Sequence, residues 1–450
     1  MPIIGGRQIG VRGLGFQGAG KPSAPTSVSA TDVGTSRAFN NGAATVTWAA
    51  PSSNGAPITS YTVLSSPGGY TATTSSTSVQ VTGLQSSTQY TFTVTATNAV
   101  GTSDASAASV AMTATTVPQA PTIGTAAKGS AVGVCTVTYT AGATGGKSVS
   151  VYTVTSTPGS LIGTGASPIT VSGLTGGTSY TFTATATNAN GTSAASAASN
   201  SVVAPQLNSQ TFTASGTWTN PGVSAVELLV VAGGGGATGE FTGAGAGAGG
   251  VRYFASQPVT GNQSVTIGNG GLGRSSAPFD FQGNNGGDSS FGSISASGGG
   301  ASNLNTGVTG GSGSGSNNAN SLAGLGNKGG YSPSEGNNGG YGEGYGTSGG
   351  GGGGAGGVGG NWGALPTRRG GDGGASVTYF SVAYAGGGGG GVQSPGIGGT
   401  GGGAGAGTSV TGSNNFPANI ANRGSAAAGN SIRGASGNGS AGTVIVRWVS

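Results

Sequence analysis

Glycine is distributed in this chain in a way that excludes one uniform architecture. Of 102 glycines in 450 residues, 27 lie before residue 205 and 75 fall in the last 246. Nearly one residue in three of that C-terminal region is glycine, close to the collagen proportion of about one-third. The strict collagen triplet is absent, because Gly349–Gly354 and Gly386–Gly391 are homopolymer runs. Disorder is the next default for such a composition. Strand signals argue against it: Val226–Val231, Ser264–Ile267, Ser290–Ala296, Ser376–Tyr384 and Thr443–Trp448 punctuate the region. The first and last of these stand near its two ends, so the chain is expected to bring those ends together, with glycine-rich excursions between them.

Ordered glycines need partners. Fixing a residue costs about 1–2 kcal/mol, and glycine lies at the high end. Extended polyproline-II segments make no internal hydrogen bonds, so their N–H and C=O groups must be satisfied on neighbouring segments or on water. Packed arrays of such segments are one solution. Period-two small residues, as in Gly243–Gly249, offer another in closely stacked sheets. In Ser376–Tyr384, read as one strand, Phe380 and Tyr384 share a face and Tyr379 takes the other.

The first half has a different grammar. Tyr90–Ser103 recurs as Tyr180–Ser193, differing only at Val94/Ala184 and Val100/Asn190. Ser60–Val63 matches Val151–Val154, and Val46–Trp48 matches Val137–Tyr139, so the period is 90–91 residues. That is a whole domain, not a solenoid repeat. Pro-containing junctions at Lys21–Pro25 and Val117–Pro121 bound the copies, and Pro205 follows the second. Within each copy Thr alternates with apolar residues, the period of a half-buried strand. Seven short strands in about 90 residues make a β-sandwich.

Each copy resembles a fibronectin type III domain. Trp48 stands at that family's strand-B core position and Tyr61 at its strand-C tyrosine. Leu84 and Tyr90 match the E-strand leucine and the tyrosine-corner residue. In the second copy Tyr139 replaces the Trp, while Tyr152, Leu174 and Tyr180 match. The expected organisation is therefore all-β: a peptide 1–21, sandwiches over 22–117 and 118–204, and a glycine-rich β domain over 205–450 with polyglycine-II segments. The two sandwiches are expected to act as a rigid spacer.

Composition narrows the chemistry. One Cys and no His exclude a disulfide framework, a Cys-based zinc cluster and every His-dependent nucleophile system. A net charge of +5 on 23 charged residues suits no phosphate-tracking nucleic-acid binder. No apolar run approaches the roughly 20 residues of a membrane span. The N-terminal peptide lacks the apolar core of a secretory signal. Its Ile3, Ile4, Arg7, Ile9, Arg12, Leu14 and Phe16 are candidate docking residues for a larger assembly. Gly13–Gly18 matches G-x-G-x-x-G without a preceding strand or a following helix, so it implies no dinucleotide.

No carboxylate spacing in the C-terminal region marks a hydrolytic pair, and Asp280 and Asp288 fit no calcium loop. No cofactor or metal is expected. Aromatics set among Gly and Asn, namely Tyr331, Tyr341, Tyr345 and Trp362, are candidates for stacking on a ligand. The alternative for them is packing between glycine segments. Arg368 and Arg369 could meet an acidic polysaccharide or another subunit.

The segments Thr211–Val223, Val226–Gly236, Gly286–Gly300 and Gly442–Trp448 resemble the glycine-rich domain of bacteriophage tail fibres and adhesins. That resemblance implies a virion-surface structural protein, a tail fibre or fibre-tip adhesin. Its N-terminus would hold other virion proteins, and its C-terminal domain would bind a host-surface glycan or protein. A homo-oligomer, a trimer by analogy with fibres, goes with it. A phage structural protein released by lysis needs no secretory signal. A fibre or capsid decoration without a receptor, a bacterial surface-filament subunit and, last, an enzyme are the alternatives.

Overall fold

The computed structural model describes residues 18–237, 243–273, 282–303, 306–316, 322–332, 334–342, 349–361, 371–388, 425 and 437–450. The candidate anchor residues Ile3, Ile4, Arg7, Ile9, Arg12, Leu14 and Phe16 lie outside these, as do Tyr345, Trp362, Arg368 and Arg369. Among the described residues every regular element is a strand, and the chain divides into two compact units, Met1–Gln206 and Leu207–Ser450.

The first unit holds two β-sandwiches. In the first, a sheet ordered Thr26–Asp32, Gly42–Ala49, Ser78–Leu84 faces one ordered Thr71–Thr74, Ile58–Ser66, Gln89–Asn98, Gly101–Thr102. Strand Gln89–Asn98 buries every second residue, from Tyr90 to Asn98, as its alternation predicts. Trp48, Tyr61, Leu84, Tyr90 and Phe92 meet in its core. The second copy repeats the arrangement around Ile169, Leu174, Tyr180 and Phe182. Both tyrosine corners form: the Gln85 N–H donates to Tyr90 Oη and the Thr175 N–H to Tyr180 Oη, each at 3.0 Å.

One device in the sandwiches carries no hydrophobic signal. Ser103, Ser106 and Ser109, three residues apart, donate their N–H groups to Ala96, Val94 and Phe92. Their hydroxyls accept the N–H groups of the same three residues. Ser193, Ser196 and Ser199 do likewise in the second copy. An extended segment of period three is thus sewn to a strand of period two.

The second unit opens and closes on one sheet, as expected, ordered Leu207–Phe212, Thr443–Val449, Ala225–Val231, Val251–Pro258 and antiparallel throughout. One face packs on a second sheet around Trp218, Phe291 and Val265. The other, through Leu229, Val231 and Ile445, packs on Tyr384 and Ala248.

Two expected strands are hairpins instead. Ser290–Ala296 divides into Ser289–Phe291 and Ile294–Ala296. Ser376–Tyr384 divides into Val377–Tyr379 and Val382–Tyr384, with Phe380 and Ser381 at positive φ in the turn. Tyr379 and Phe380 therefore both reach the ring of Tyr253, at 4.7 and 6.3 Å, instead of pointing apart.

Beyond the sheets the glycines form a hydrogen-bonded lattice of extended rods. Ala232, Gly233 and Gly234 donate to the carbonyls of Gly250, Gly287 and Ser440. Gly235, Gly236 and Ala237 donate to Gly247, Asn284 and Gly437, with all six N···O distances between 2.9 and 3.1 Å. Each third residue returns to the same neighbour three positions back, so one rod bonds three antiparallel neighbours in rotation. This is the threefold pattern of polyglycine II. The rod at Gly245–Gly250 mixes directions: Gly245 and Ala248 bond Gly350 and Gly353 in parallel, while Gly247 and Gly250 bond Gly300 and Ser297 antiparallel. Its alternating Gly-Ala sequence therefore does not make a stacked sheet. Period-three bonding prevails because bare backbone can be approached from three sides, whereas a strand bonds only from two.

Candidate binding site

The lattice ends where side chains replace its missing rods. Asp288 Oδ1 accepts the Gly298 N–H at 2.7 Å, and Asn285 Oδ1 accepts that of Ala301 at 2.7 Å. Glu335, buried to 1% exposure, accepts Ser297 N–H on Oε2 and Gly329 N–H on Oε1. Asn337 Nδ2 donates to the carbonyls of Gly354 and Ala355. The role of these side chains as lattice caps becomes visible only once the rods are placed.

At one edge the caps and the exposed apolar residues coincide. A groove of about 470 Å³ is lined by Leu322, Leu325, Tyr341 and Val358, with Asn338 and Asn361 beside backbone of Gly339, Gly359 and Gly360. Leu322 is 76% exposed, Val358 65%, Leu325 59% and Tyr341 45%. These are four of the six large apolar side chains that the second unit leaves exposed among its described residues. Asn338 Oδ1 accepts the Gly326 N–H at 2.8 Å, and Asn361 Oδ1 accepts the Tyr341 N–H at 2.9 Å. The backbone donors fix both carboxamides. Their NH₂ groups and the Tyr341 hydroxyl have no partner among the described residues. Among the described residues the lining carries no charge. It offers hydrogen-bond donors above an apolar wall, suited to a neutral ligand that brings acceptors and an apolar face.

Of the aromatics singled out from the sequence, only Tyr341 is placed in this groove. Tyr331 is half-buried elsewhere: the Arg252 guanidinium lies 4.0 Å from its ring centroid and its hydroxyl meets Ser295 Oγ at 2.8 Å. Tyr331 thus packs as a spacer. Trp362 follows Asn361 directly in sequence, but it, Tyr345, Arg368 and Arg369 fall outside the described residues. Leu322, Leu325 and Val358 carried no sequence signal, being isolated apolar residues among Gly and Ser.

A second cluster of chemical interest is structural. The Tyr253 hydroxyl donates to Glu227 Oε1 at 2.7 Å, and Arg447 Nη1 reaches Glu227 Oε2 at 3.0 Å. Arg447 also lies 4.4 Å from the Phe380 ring centroid. The Glu227 bond, burial and the Glu227 charge raise the Tyr253 phenol above its usual value of 10.0. Among the described residues no group of three potential metal ligands converges. Glu227, Asp288 and Glu335 are each engaged in the hydrogen bonds just given, and Asp280 lies outside the described residues.

A family model described as fibronectin type III domain matches residues 23–112. No curated protein matches the chain. Among solved structures, the chain is similar to the FN1-FN3 domains of chicken CNTN1, at 15% identity and a TM-score of 0.27 over 55% of this chain and 93% of that one. It is also similar to titin kinase and its flanking domains, at 20% identity and a TM-score of 0.19 over 27% of this chain and 28% of that one. A family model described as glycine-rich domain matches residues 209–449, more than half of the chain, and the protein belongs to that family.

Proposed function

We propose that the protein is a non-catalytic bacteriophage adhesin, a tail-fibre or fibre-tip component at the virion surface. In this reading residues 1–21 attach it to other virion proteins and the two sandwiches act as a spacer. The glycine-rich domain binds a neutral glycan on the host surface through the groove at Tyr341. One observation carries the reading: among the described residues, four of the second unit's six exposed large apolar side chains gather at one groove with no charged side chain, whose carboxamides are pinned with their donors unpaired. The resemblance of Thr211–Val223 and Gly286–Gly300 to phage adhesin segments supplies the biological setting. A shallow site gives a weak single contact, and copies on one particle, with a trimer as the unit, convert it into firm attachment.

The test is binding of the full-length chain to a panel of immobilised bacterial surface polysaccharides. Tyr341→Ala and Asn361→Ala are expected to abolish or sharply weaken a positive signal while leaving the thermal transition unchanged. Binding that survives both changes removes the groove from the proposal. A chain that remains on purified particles but binds no member of the panel is a decoration protein.

A further inference from the structure

The internal repeat allows the two ends of the first sandwich to be compared through hydrogen bonds. The linker between the sandwiches is held on the second one through Asn188, itself fixed on the neighbouring loop, and through backbone bonds to that loop. Asn188 Nδ2 donates to Thr116 O at 2.9 Å and to Thr144 O at 2.9 Å. Thr116 N–H donates to Gly145 O at 2.8 Å, and Gln119 N–H to Ala143 O at 2.9 Å. The segment leading into the first sandwich is held in the corresponding way. Asn98 Nδ2 donates to Gly20 O at 2.8 Å and Ser53 O at 3.1 Å. Gly20 N–H donates to Asn54 O at 2.8 Å, and Ser23 N–H to Ser52 O at 3.1 Å. Gly18–Lys21 is therefore built as a linker, not as a loose end.

On the second sandwich that construction serves a domain junction. Val117 N–H donates to Arg37 O at 3.0 Å, and Ser36 N–H donates to Asn190 O at 2.8 Å. Asp32 Oδ1 accepts the Thr115 N–H at 3.0 Å, and Asn190 Nδ2 reaches Thr115 Oγ1 at 2.7 Å. The receiving loop comes so close that a Cβ on Gly34 would overlap Thr115 and Asn190. At the leading end of the first sandwich the corresponding groups are Lys21 N–H, Val100 C=O and Ala19 N–H. None of them has a partner among the described residues. Val100 replaces Asn190 and is 53% exposed, and the exposed Ala19 replaces Thr115. The polar pair of the inner junction has become an apolar pair together.

We infer that the leading end of the first sandwich is a docking end for a further β-sandwich, seated as the first sandwich is seated on the second. Its occupant presents a loop like Asp32–Arg37, with a carbonyl for Lys21 N–H, an N–H for Val100 C=O and an apolar contact for Val100 and Ala19. Continuity with the inner junction argues for this occupant. It is independent of the groove and of the ligand proposed there.

Two measurements test it. In a full-length chain whose residues 1–18 are replaced by a second copy of residues 18–114, so that Ala114 leads directly into Ala19, the added sandwich is expected to reorient as one body with its neighbour in NMR relaxation. Val100→Asp in the receiving sandwich should release it to independent tumbling without altering the inner junction. An added sandwich that tumbles freely before that change overturns the inference. Hydroxyl-radical footprinting of Val100 in the unaltered chain is the second measurement. Labelling equal to that of a chain lacking residues 1–17 is expected. Protection by those residues would make the chain's own N-terminal peptide the occupant and overturn the sandwich assignment.

Discussion

The two units solve one problem with opposite materials. The sandwiches bury side chains: Phe92, Phe182, Tyr90 and Leu84 exclude water, and the backbone bonds follow from strands they hold together. The lattice has almost no side chains to bury, and its backbone bonds hold it together directly. Each such bond contributes about 0.5–1.5 kcal/mol net, against an ordering cost of about 1–2 kcal/mol per residue. Rods alone therefore do not balance. The apolar strands Ala225–Val231 and Thr443–Val449 anchor them, and small side chains such as Ala246 and Ala248, fully buried between rods, add contact. A bare backbone can thus form an interior, provided a conventional core fixes where its rods begin.

The role of glycine separates the two units most sharply. In the lattice Gly233, Gly234, Gly235 and Gly236 are absent from the left-handed region, so their conformational freedom is not what is used. What matters is the missing Cβ: one placed on Gly313 would fall on the Gly324 carbonyl oxygen, inside 3.0 Å. Gly313→Val is the largest effect we expect, loss of the second unit's cooperative transition in calorimetry with the sandwiches unaffected. A retained transition would mean that the rods can move apart. Phe92→Ala is the counterpart in the sandwiches, a loss of about 3–5 kcal/mol in denaturant unfolding confined to the first unit. If it also destabilised the lattice, the two units would not be independent.

Two smaller changes sharpen the contrast. Glu335→Ala leaves the buried Ser297 N–H without its partner and removes the acceptor of the exposed Gly329 N–H. An unpaired buried donor costs about 1–3 kcal/mol, so the second unit should lose about that much in urea. Glu335→Gln, which keeps an acceptor, should recover part of it. Gly69→Ala probes a sandwich glycine of the other kind. Its φ is +62° and nothing lies within 4 Å of where the new Cβ would stand, so the cost is conformational only, about 1–2 kcal/mol.

What the sequence disclosed follows the same division. Alternation announces a strand because every second residue faces a core, so Tyr90, Phe92 and the repeat located both sandwiches, down to the tyrosine corners. The closing of Val226–Val231 on Thr443–Val449 was also legible, because apolar strands flank the region. The rods were foreseeable in kind but not in register. Gly245 and Gly247 look alike in sequence, yet one bonds Gly350 and the other Gly300. Without side chains, nothing local distinguishes the neighbours. The groove inherits that limit. Tyr341 stood out as an aromatic among glycines, but Leu322, Leu325 and Val358 meet it only because the rods bring them to one edge. The hairpin at Phe380 was hidden for another reason, since neither Phe nor Ser signals the positive φ that its turn requires.

The smallest effect concerns charge, and it sets one side chain of the second unit against the tyrosines of the first. The Tyr253 phenol is raised chiefly because it donates to the Glu227 carboxylate, a bond that ionisation would destroy. Tyr90 and Tyr139 in the sandwiches are raised chiefly by burial. A raised folded-state value means that the unfolded chain releases its proton first. The Tyr253 contribution is therefore complete below the unfolded value of about 10 and is lost as pH climbs through the folded-state value. Tyr253→Phe removes this linkage from the second unit only. Between pH 8 and pH 11 the unaltered second unit should lose more urea stability than the Tyr253→Phe protein, while the sandwiches of both decline alike. Equal losses in the second unit would show that the bond to Glu227 does not couple ionisation to folding. The Glu227–Arg447 pair would then hold that corner of the sheet without help from Tyr253.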